Sequence, residues 1–286
     1  MKILITGGSG DLGQVLFPAL LNKGHEPNNF DIQPPQSNLQ LHFQGSLLIP
    51  GEIEKALAGV DLIIHIAAWH GIHEARGWKT AQNFWDLNVN GLHNLLQASL
   101  KHDIKKLIHI SSSSVLKLSG YYGFTKRLAE QAVSHFQHAH DLQTITLRPR
   151  AFIPFGNKRI YASYGDWARR FWPGAVHIHD VAQAVLLGVE KLKQDEDMCE
   201  STFNIDREAG FPSEVLATWD EEGVGTSFRK VYPQFADLAQ RCGLDSSKKP
   251  NTLEFIDAKE HLGYSPQYGL SEFFVELSEM EQAGKL

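Results

Sequence analysis

Ile3-Leu4-Ile5-Thr6-Gly7-Gly8-Ser9-Gly10-Asp11-Leu12-Gly13 runs an apolar segment into a glycine-rich turn and then into a helical pattern. A buried strand that turns sharply into a helix needs its glycines for separate reasons. Gly7 permits the tight turn, Gly10 lets the backbone approach a diphosphate, and Gly13 lets the helix lie close to the strand. Asp11 and Leu12 open that helix, whose N-terminal N–H groups favour an anion. Asp31 ends the next apolar run, 18 residues after Gly13, where a carboxylate accepts hydrogen bonds from the ribose hydroxyls of an adenosine. No Lys or Arg stands between Ile32 and Glu54 to balance a 2′-phosphate, so the pattern selects NAD over NADP.

Outward from this turn, short apolar runs at 2–6, 29–32, 40–43, 61–67, 106–111 and 144–148 alternate with helical periodicity at 12–23, 52–58, 84–102 and 124–140. Strand alternating with helix predicts a Rossmann-like α/β fold, a doubly wound parallel sheet. After Pro149 the texture changes to Gly, Pro, aromatic and basic residues. A strand is expected at 174–178, leading into a helix at 180–192, with a further strand at 202–205 and an amphipathic helix at 271–281. The expected division is a dinucleotide-binding domain of residues 1–150 plus 174–205 and a smaller substrate-binding lobe of 151–173 plus 206–286.

The whole chain of 286 residues carries a formal net charge of −6, with 42% hydrophobic and 21% charged residues. That is an ordinary globular composition and argues against a nucleic-acid binder. Cys199 and Cys242 stand far apart, so neither a disulfide framework nor a cysteine metal site is expected. With no signal-peptide core and no segment approaching the ~18 apolar residues of a membrane span, the expectation is a cytoplasmic protein without membrane contact.

Tyr122-Gly123-Phe124-Thr125-Lys126 opens a helix and places tyrosine and lysine four apart, on one face. A phenol near pKa ~10 needs a shift of about three units, or ~4 kcal/mol, to be half ionised at neutrality. A nearby ammonium and an oxidised nicotinamide would supply much of this, making Tyr122 a general base. Upstream, Leu107 to Ile110 delivers Ser111 to Ser114 to the sheet's C-terminal edge, where a hydroxyl can hold the reacting oxygen.

Taken together, these residues resemble the extended short-chain dehydrogenase/reductases, the NAD-dependent epimerase/dehydratase family. The likeness rests on the glycine turn, Val60 to Ala68, Asn88 to Leu96, the serine run, Tyr122 with Lys126, Leu147-Arg148-Pro149, Val176 to Ala182 and Lys259 to Pro266. It implies that Ala67 and Ala68 line the cofactor, that Asn88 lies near the nicotinamide, and that Ser46 and Leu47 adjoin the adenine. It also makes Ser112 the catalytic hydroxyl, with Ser113 as the alternative, and suggests a homodimer through 84–102 and 124–140.

Departures from the family pattern bear on substrate. Ser113 and Ser114 stand where dehydratases carry an Asp-Glu pair, so elimination of water lacks its acid and base. Ala151 replaces an asparagine found in nucleotide-sugar members, and Ser46 replaces an adenine-binding aspartate. From Arg148 to Arg170 six basic residues face one acid, a local charge of 6 − 1 = +5. That excess makes Arg150 a candidate contact for an anionic sugar derivative. Tyr161, Tyr164, Trp167 and Trp172 in the same stretch are expected in packing rather than stacking on a ligand. The pairs His70/His73 and His135/His138 bring no third ligand, so no metal is expected. His177 and His179 are read as alternating on a strand, with Asp180 as a helix cap. The expected chemistry is epimerisation at a hydroxyl of a sugar or nucleotide sugar. Oxidation of a sugar, sugar acid or related alcohol is the alternative, and a non-enzymatic NAD sensor of the same fold is the rival.

Overall fold

A computed structural model describes residues 1–35, 41–117, 120–194 and 201–286. In chain order the strands and helices are β1 (Lys2–Thr6), α1 (Asp11–Asn22), β2 (Glu26–Asp31), β3 (Leu41–Gln44), α2 (Pro50–Ala56), β4 (Leu62–His65), α3 (Gly71–Ala75) and α4 (Ala81–Phe84). A π-helical stretch, Trp85–Gly91, then feeds α5 (Leu92–Lys101). There follow β5 (Lys106–Ile110), a 3-10 turn at Ser113–Leu116, α6 (Tyr121–His140), β6 (Gln143–Pro149), α7 (Tyr164–Phe171), α8 (Ile178–Lys193) and β7 (Thr202–Ile205). The remainder is α9 (Ser213–Ala217), α10 (Thr226–Val231), α11 (Ala236–Arg241) and α12 (Leu270–Gln282).

The seven strands form one sheet in the order β3-β2-β1-β4-β5-β6-β7. The pairings from β3 through β6 are parallel. The chain winds one way from β1 to β3 and the other way from β4, so the crevice between the C-terminal ends of β1 and β4 is the topological switch point. Along one face, Leu4, Phe30, Ile63 and Leu107 pack with Ile53 of α2, Leu92 and Leu95 of α5, and Ala129 and Val133 of α6. Gly188 brings α8 against the sheet, since a Cβ there would already stand 3.2 Å from Ile108.

The chain divides into two compact units. The first is Met1–Pro149, Val181–Asn204 and Ile256–Tyr264; the second is Arg150–Asp180, Ile205–Phe255 and Ser265–Leu286. The second unit has its own core, built from Trp167, Phe171, Trp172, Phe211, Phe228, Phe273 and Phe274. Tyr161, Tyr164, Trp167 and Trp172 are all buried in it, the packing role expected for them.

One expected strand does not form. Around 174–178 there is only an isolated bridge, Ala151 to Ala175, and α8 already begins at Ile178. The rings of His177 and His179 therefore lie 5.2 Å apart rather than on a strand's alternate positions. Asp180 sits in the helix's first turn, where its carboxylate accepts the N–H groups of Gln267 and Tyr268. Residue 40, expected to start the third strand, and Cys199 lie outside the described residues. Among the described residues no helix is long and apolar enough to cross a membrane.

Candidate active site

The glycine turn is built as its residue types require. Gly7 adopts φ +73°, and a Cβ on it would stand 2.7 Å from the backbone nitrogen of Ala67. The Ala67 N–H donates to the Thr6 carbonyl at 3.1 Å, so the segment after β4 is pressed onto the turn. A Cβ on Gly13 would lie 2.2 Å from the Gly8 carbonyl oxygen, which fixes how closely α1 approaches the strand. Gly10 is different: a Cβ there would meet only the Gly7 carbonyl, at 3.3 Å. Packing therefore does not demand a glycine at position 10, whereas close approach of a ligand to the backbone does. Asp11 and Leu12 open α1, and no side chain caps that helix.

Asp31 stands beside this turn at the end of β2. One carboxylate oxygen accepts the Ser9 N–H at 3.1 Å and the other accepts Gln33 N–H at 2.9 Å. Ser46 donates its N–H to Glu52 at 2.7 Å and takes the Leu48 N–H on its hydroxyl. Leu47 is a core residue, packed with Phe30 and Ile53, and its carbonyl accepts from Asn94 at 2.9 Å. The glycine cradle, the uncapped helix end and the strand-end carboxylate fit a dinucleotide.

Past the switch point, β5 is followed by Ser111, whose hydroxyl donates to Glu130 at 2.5 Å. Arg148 holds that same carboxylate through two bonds, at 2.8 and 2.7 Å. The Ser112 hydroxyl faces the Tyr122 phenol closely enough to favour its ionised form. Ser112 is extended, and its hydroxyl also accepts the Ser114 N–H at 3.1 Å, while Ser113 has entered the 3-10 turn. One turn along α6 from Tyr122, Lys126 is buried and donates to the Ile110 carbonyl at 2.6 Å. The structure thus brings Ser112, Tyr122 and Lys126 to the C-terminal end of β5.

Electrostatics here depart from the expectation that Lys126 holds the Tyr122 pKa down. Burial pushes the Tyr122 phenol above its ordinary value, and the Ser112 hydroxyl opposes that shift. Lys126 is itself lowered to about 8, first by burial, with the Glu130 charge acting the other way. Its ammonium is engaged with the β5 carbonyl, and two enclosed charge-bearing groups each favour their neutral form.

Several residues of this neighbourhood went unread in the sequence. His65 and His109 occupy matching positions on β4 and β5 and stack at 5.5 Å with 16° between their planes. Both are buried; His65 bonds Thr6 at 2.7 Å, while neither ring nitrogen of His109 has a partner. Burial holds His65 at about 3 and His109 well below the usual imidazole range, with the Lys126 charge adding to each. Asn88, placed by resemblance near the nicotinamide, clasps the Trp69 backbone, accepting its N–H at 2.8 Å and donating to its carbonyl at 2.9 Å. It also donates to Thr125 of α6 at 3.1 Å. Asn88 lies in the π-helical stretch, a feature frequent at functional sites.

The basic stretch after β6 is largely occupied by internal partners. In the second unit Arg150 donates to the Gly174 carbonyl at 3.0 Å and lies 3.9 Å from Asp206. Arg169 pairs with Asp166, and Lys158 sits over the Phe155 ring. His70 and His73 contact each other edge to face at 4.2 Å.

Comparison with known proteins places this geometry. The family model described as the NAD dependent epimerase/dehydratase family matches residues 3–159. A 2-alkyl-3-oxoalkanoate reductase of Stenotrophomonas maltophilia is 30% identical over 59% of this chain and 56% of its own length. A UDP-glucose 4-epimerase of Halalkalibacterium halodurans is 25% identical over 96% of this chain and 94% of its own. A short-chain dehydrogenase/reductase superfamily protein of Agrobacterium tumefaciens, solved with bound NAD, superposes with a TM-score of 0.70 at 19% identity, covering 99% of this chain and 98% of that one. That likeness speaks for the fold. The family match, which takes in the glycine turn, both strand ends and the Tyr122–Lys126 turn, spans more than half the sequence, and the chain belongs to the NAD-dependent epimerase/dehydratase family.

Proposed function

We propose that this protein is an NAD-dependent oxidoreductase that interconverts a hydroxyl and a carbonyl on a sugar or nucleotide sugar, in an epimerase-type cycle. The single observation that carries the reading is the convergence of Ser112, Tyr122 and, one turn along the helix, Lys126 at the C-terminal end of β5. Gly7, Gly10 and Gly13 with the open end of α1 would hold the cofactor's diphosphate, and Asp31 its adenosine ribose. NAD, when bound, supplies hydride acceptance and return.

The residues of the chain handle the proton. Tyr122 Oη takes the hydroxyl proton when a substrate alcohol is oxidised and gives it back when the carbonyl is reduced. Ser112 Oγ, beside Tyr122, orients the substrate oxygen. Lys126 keeps a donor beside that pair and would hold the nicotinamide ribose. Ser113 adjoins the same edge as a substrate contact, and with Ser114 it leaves no carboxylate there for elimination of water.

A second reading, a dehydrogenase or reductase that releases its product, uses the same residues. A phenol held above its ordinary value is a proton donor at neutrality, the form that carbonyl reduction uses. Repeated washing of the purified protein followed by a sugar panel with added NAD separates the two. Retained cofactor with no net reduced NAD supports the epimerase cycle. Reduced NAD in proportion to substrate consumed supports the dehydrogenase. No turnover across the panel, with Tyr122→Phe indistinguishable from wild type, would leave the sensor. The proposal includes a homodimer through 84–102 and 124–140, consistent with the exposed Trp85 and Phe124 rings.

A further inference from the structure

We infer that Glu74 is a positioning residue for Tyr122: its carboxylate, carried by α3, is the cap that fixes the first turn of α6. This deepens the proposed function and rests on it for the role of Tyr122. The first N–H groups of any helix lack intrahelical acceptors, and α6 has no side-chain cap of its own. Glu74 supplies both acceptors from an element 47 residues away, taking the Tyr121 N–H at 2.6 Å and the Tyr122 N–H at 3.2 Å. The backbone accommodates this arrangement at Gly120, which has φ +90° and would place a Cβ 2.9 Å from a Glu74 carboxylate oxygen. A side chain at position 120 would therefore strain the backbone and displace the cap at once.

A second contact ties the same α3 turn to the reacting phenol. A Cβ on Gly71, the first residue of α3, would stand 3.3 Å from the Tyr122 ring. The α3 segment thus holds Tyr122 at its backbone through Glu74 and leaves no room for a side chain between Gly71 and its ring. A carboxylate at a helix N-terminus also complements the helix dipole. The consequence is that the placement of the Tyr122 phenol beside Ser112 depends on a residue that need not touch substrate or cofactor.

The test uses the full-length protein loaded with NAD and two measurements that do not need turnover. Amide hydrogen exchange is followed in peptides covering 120–125, and the Tyr122 phenol is titrated by ultraviolet difference against Tyr122→Phe. Glu74→Ala should speed exchange in that turn by about tenfold, the size of effect that loss of a helix cap carries. It should also move the Tyr122 midpoint down towards the ordinary value, because a loosened turn admits water and burial is the main cause of the raised pKa. Glu74→Gln, which keeps one acceptor oxygen, should fall between wild type and Glu74→Ala, and it carries the test if the alanine variant does not fold. Gly120→Ala should reproduce the alanine phenotype from the other side of the contact. Unchanged exchange in 120–125 would overturn the inference, as would faster exchange with an unmoved Tyr122 midpoint, which would make Glu74 merely structural. Wild-type turnover by Tyr122→Phe would instead defeat the proposed function and leave these two measurements decisive for Glu74.

Discussion

Replacing His109 by phenylalanine should flatten the acid side of the stability profile, by an amount that follows from where the ring sits. His109 and His65 are buried at the ends of β5 and β4 and are held neutral, His65 at about 3 and His109 well below its ordinary value. A folded pKa below the unfolded one means that the unfolded chain binds the proton first. The stabilising contribution is complete above the unfolded value of 6.5 and is lost as pH falls from there towards the folded values. At about pH 4.5, some two units below the unfolded pKa, His65 is still neutral in the folded chain and contributes a loss of about 3 kcal/mol, and His109 is shifted in the same direction. Losses of that size are a large part of a total that is commonly about 5–15 kcal/mol. Phenylalanine keeps a ring beside His65 and sacrifices no hydrogen bond, because neither His109 nitrogen has a partner. Its extra volume costs ~1–3 kcal/mol at every pH, which cancels in a difference. Urea unfolding at neutral and at acid pH gives the drop for each protein, and the wild-type drop should exceed the variant's, the pH dependence that His109 adds being absent from phenylalanine. Equal drops would show that His109 is not kept from its proton by burial, and the electrostatic reasoning at the site would fail with it.

Gly13→Ala gains up to ~1 kcal/mol of helix propensity, but its methyl would lie 2.2 Å from the Gly8 carbonyl and must push α1 away; calorimetry should find NAD bound at least ~10-fold more weakly. Asp31→Asn removes the charge that would repel a 2′-phosphate, so the preference for NAD over NADP should narrow in parallel titrations of the two cofactors. Lys126 is held at about 8 against an ordinary 10.5, so the unfolded chain binds its proton more readily between those values and stability should rise with pH through that window. Lys126→Met should abolish that rise in denaturant unfolding.

The parts of the fold that were legible in the sequence are those fixed by local rules. The glycine turn could be read because Gly7 needs its positive φ and Gly13 its close contact, both properties of residue type. The Tyr122 to Lys126 spacing could be read because a helix places such residues on one face. The segment 174–178 misled because its alternation mimics a strand, while the chain makes only a single bridge before Ile178 starts a helix. Leu47 carried no mark separating a core position from a cofactor contact. Asn88 and Glu74 were unreadable in their roles for a different reason: their partners lie 19 and 47 residues away, so only the fold makes the pairs. The His65–His109 stack needs β4 and β5 in register, although a histidine at the matching place of two neighbouring strand patterns was a signal available in the sequence.

The most direct test of the account compares wild type with Tyr122→Phe, both loaded with NAD, by following the nicotinamide absorbance across a panel of sugars and nucleotide sugars in a single turnover. The account predicts that a substrate which reduces the wild-type cofactor does so at least ~100-fold more slowly in Tyr122→Phe, with NAD affinity unchanged. Reduction at the wild-type rate without the phenol would contradict it.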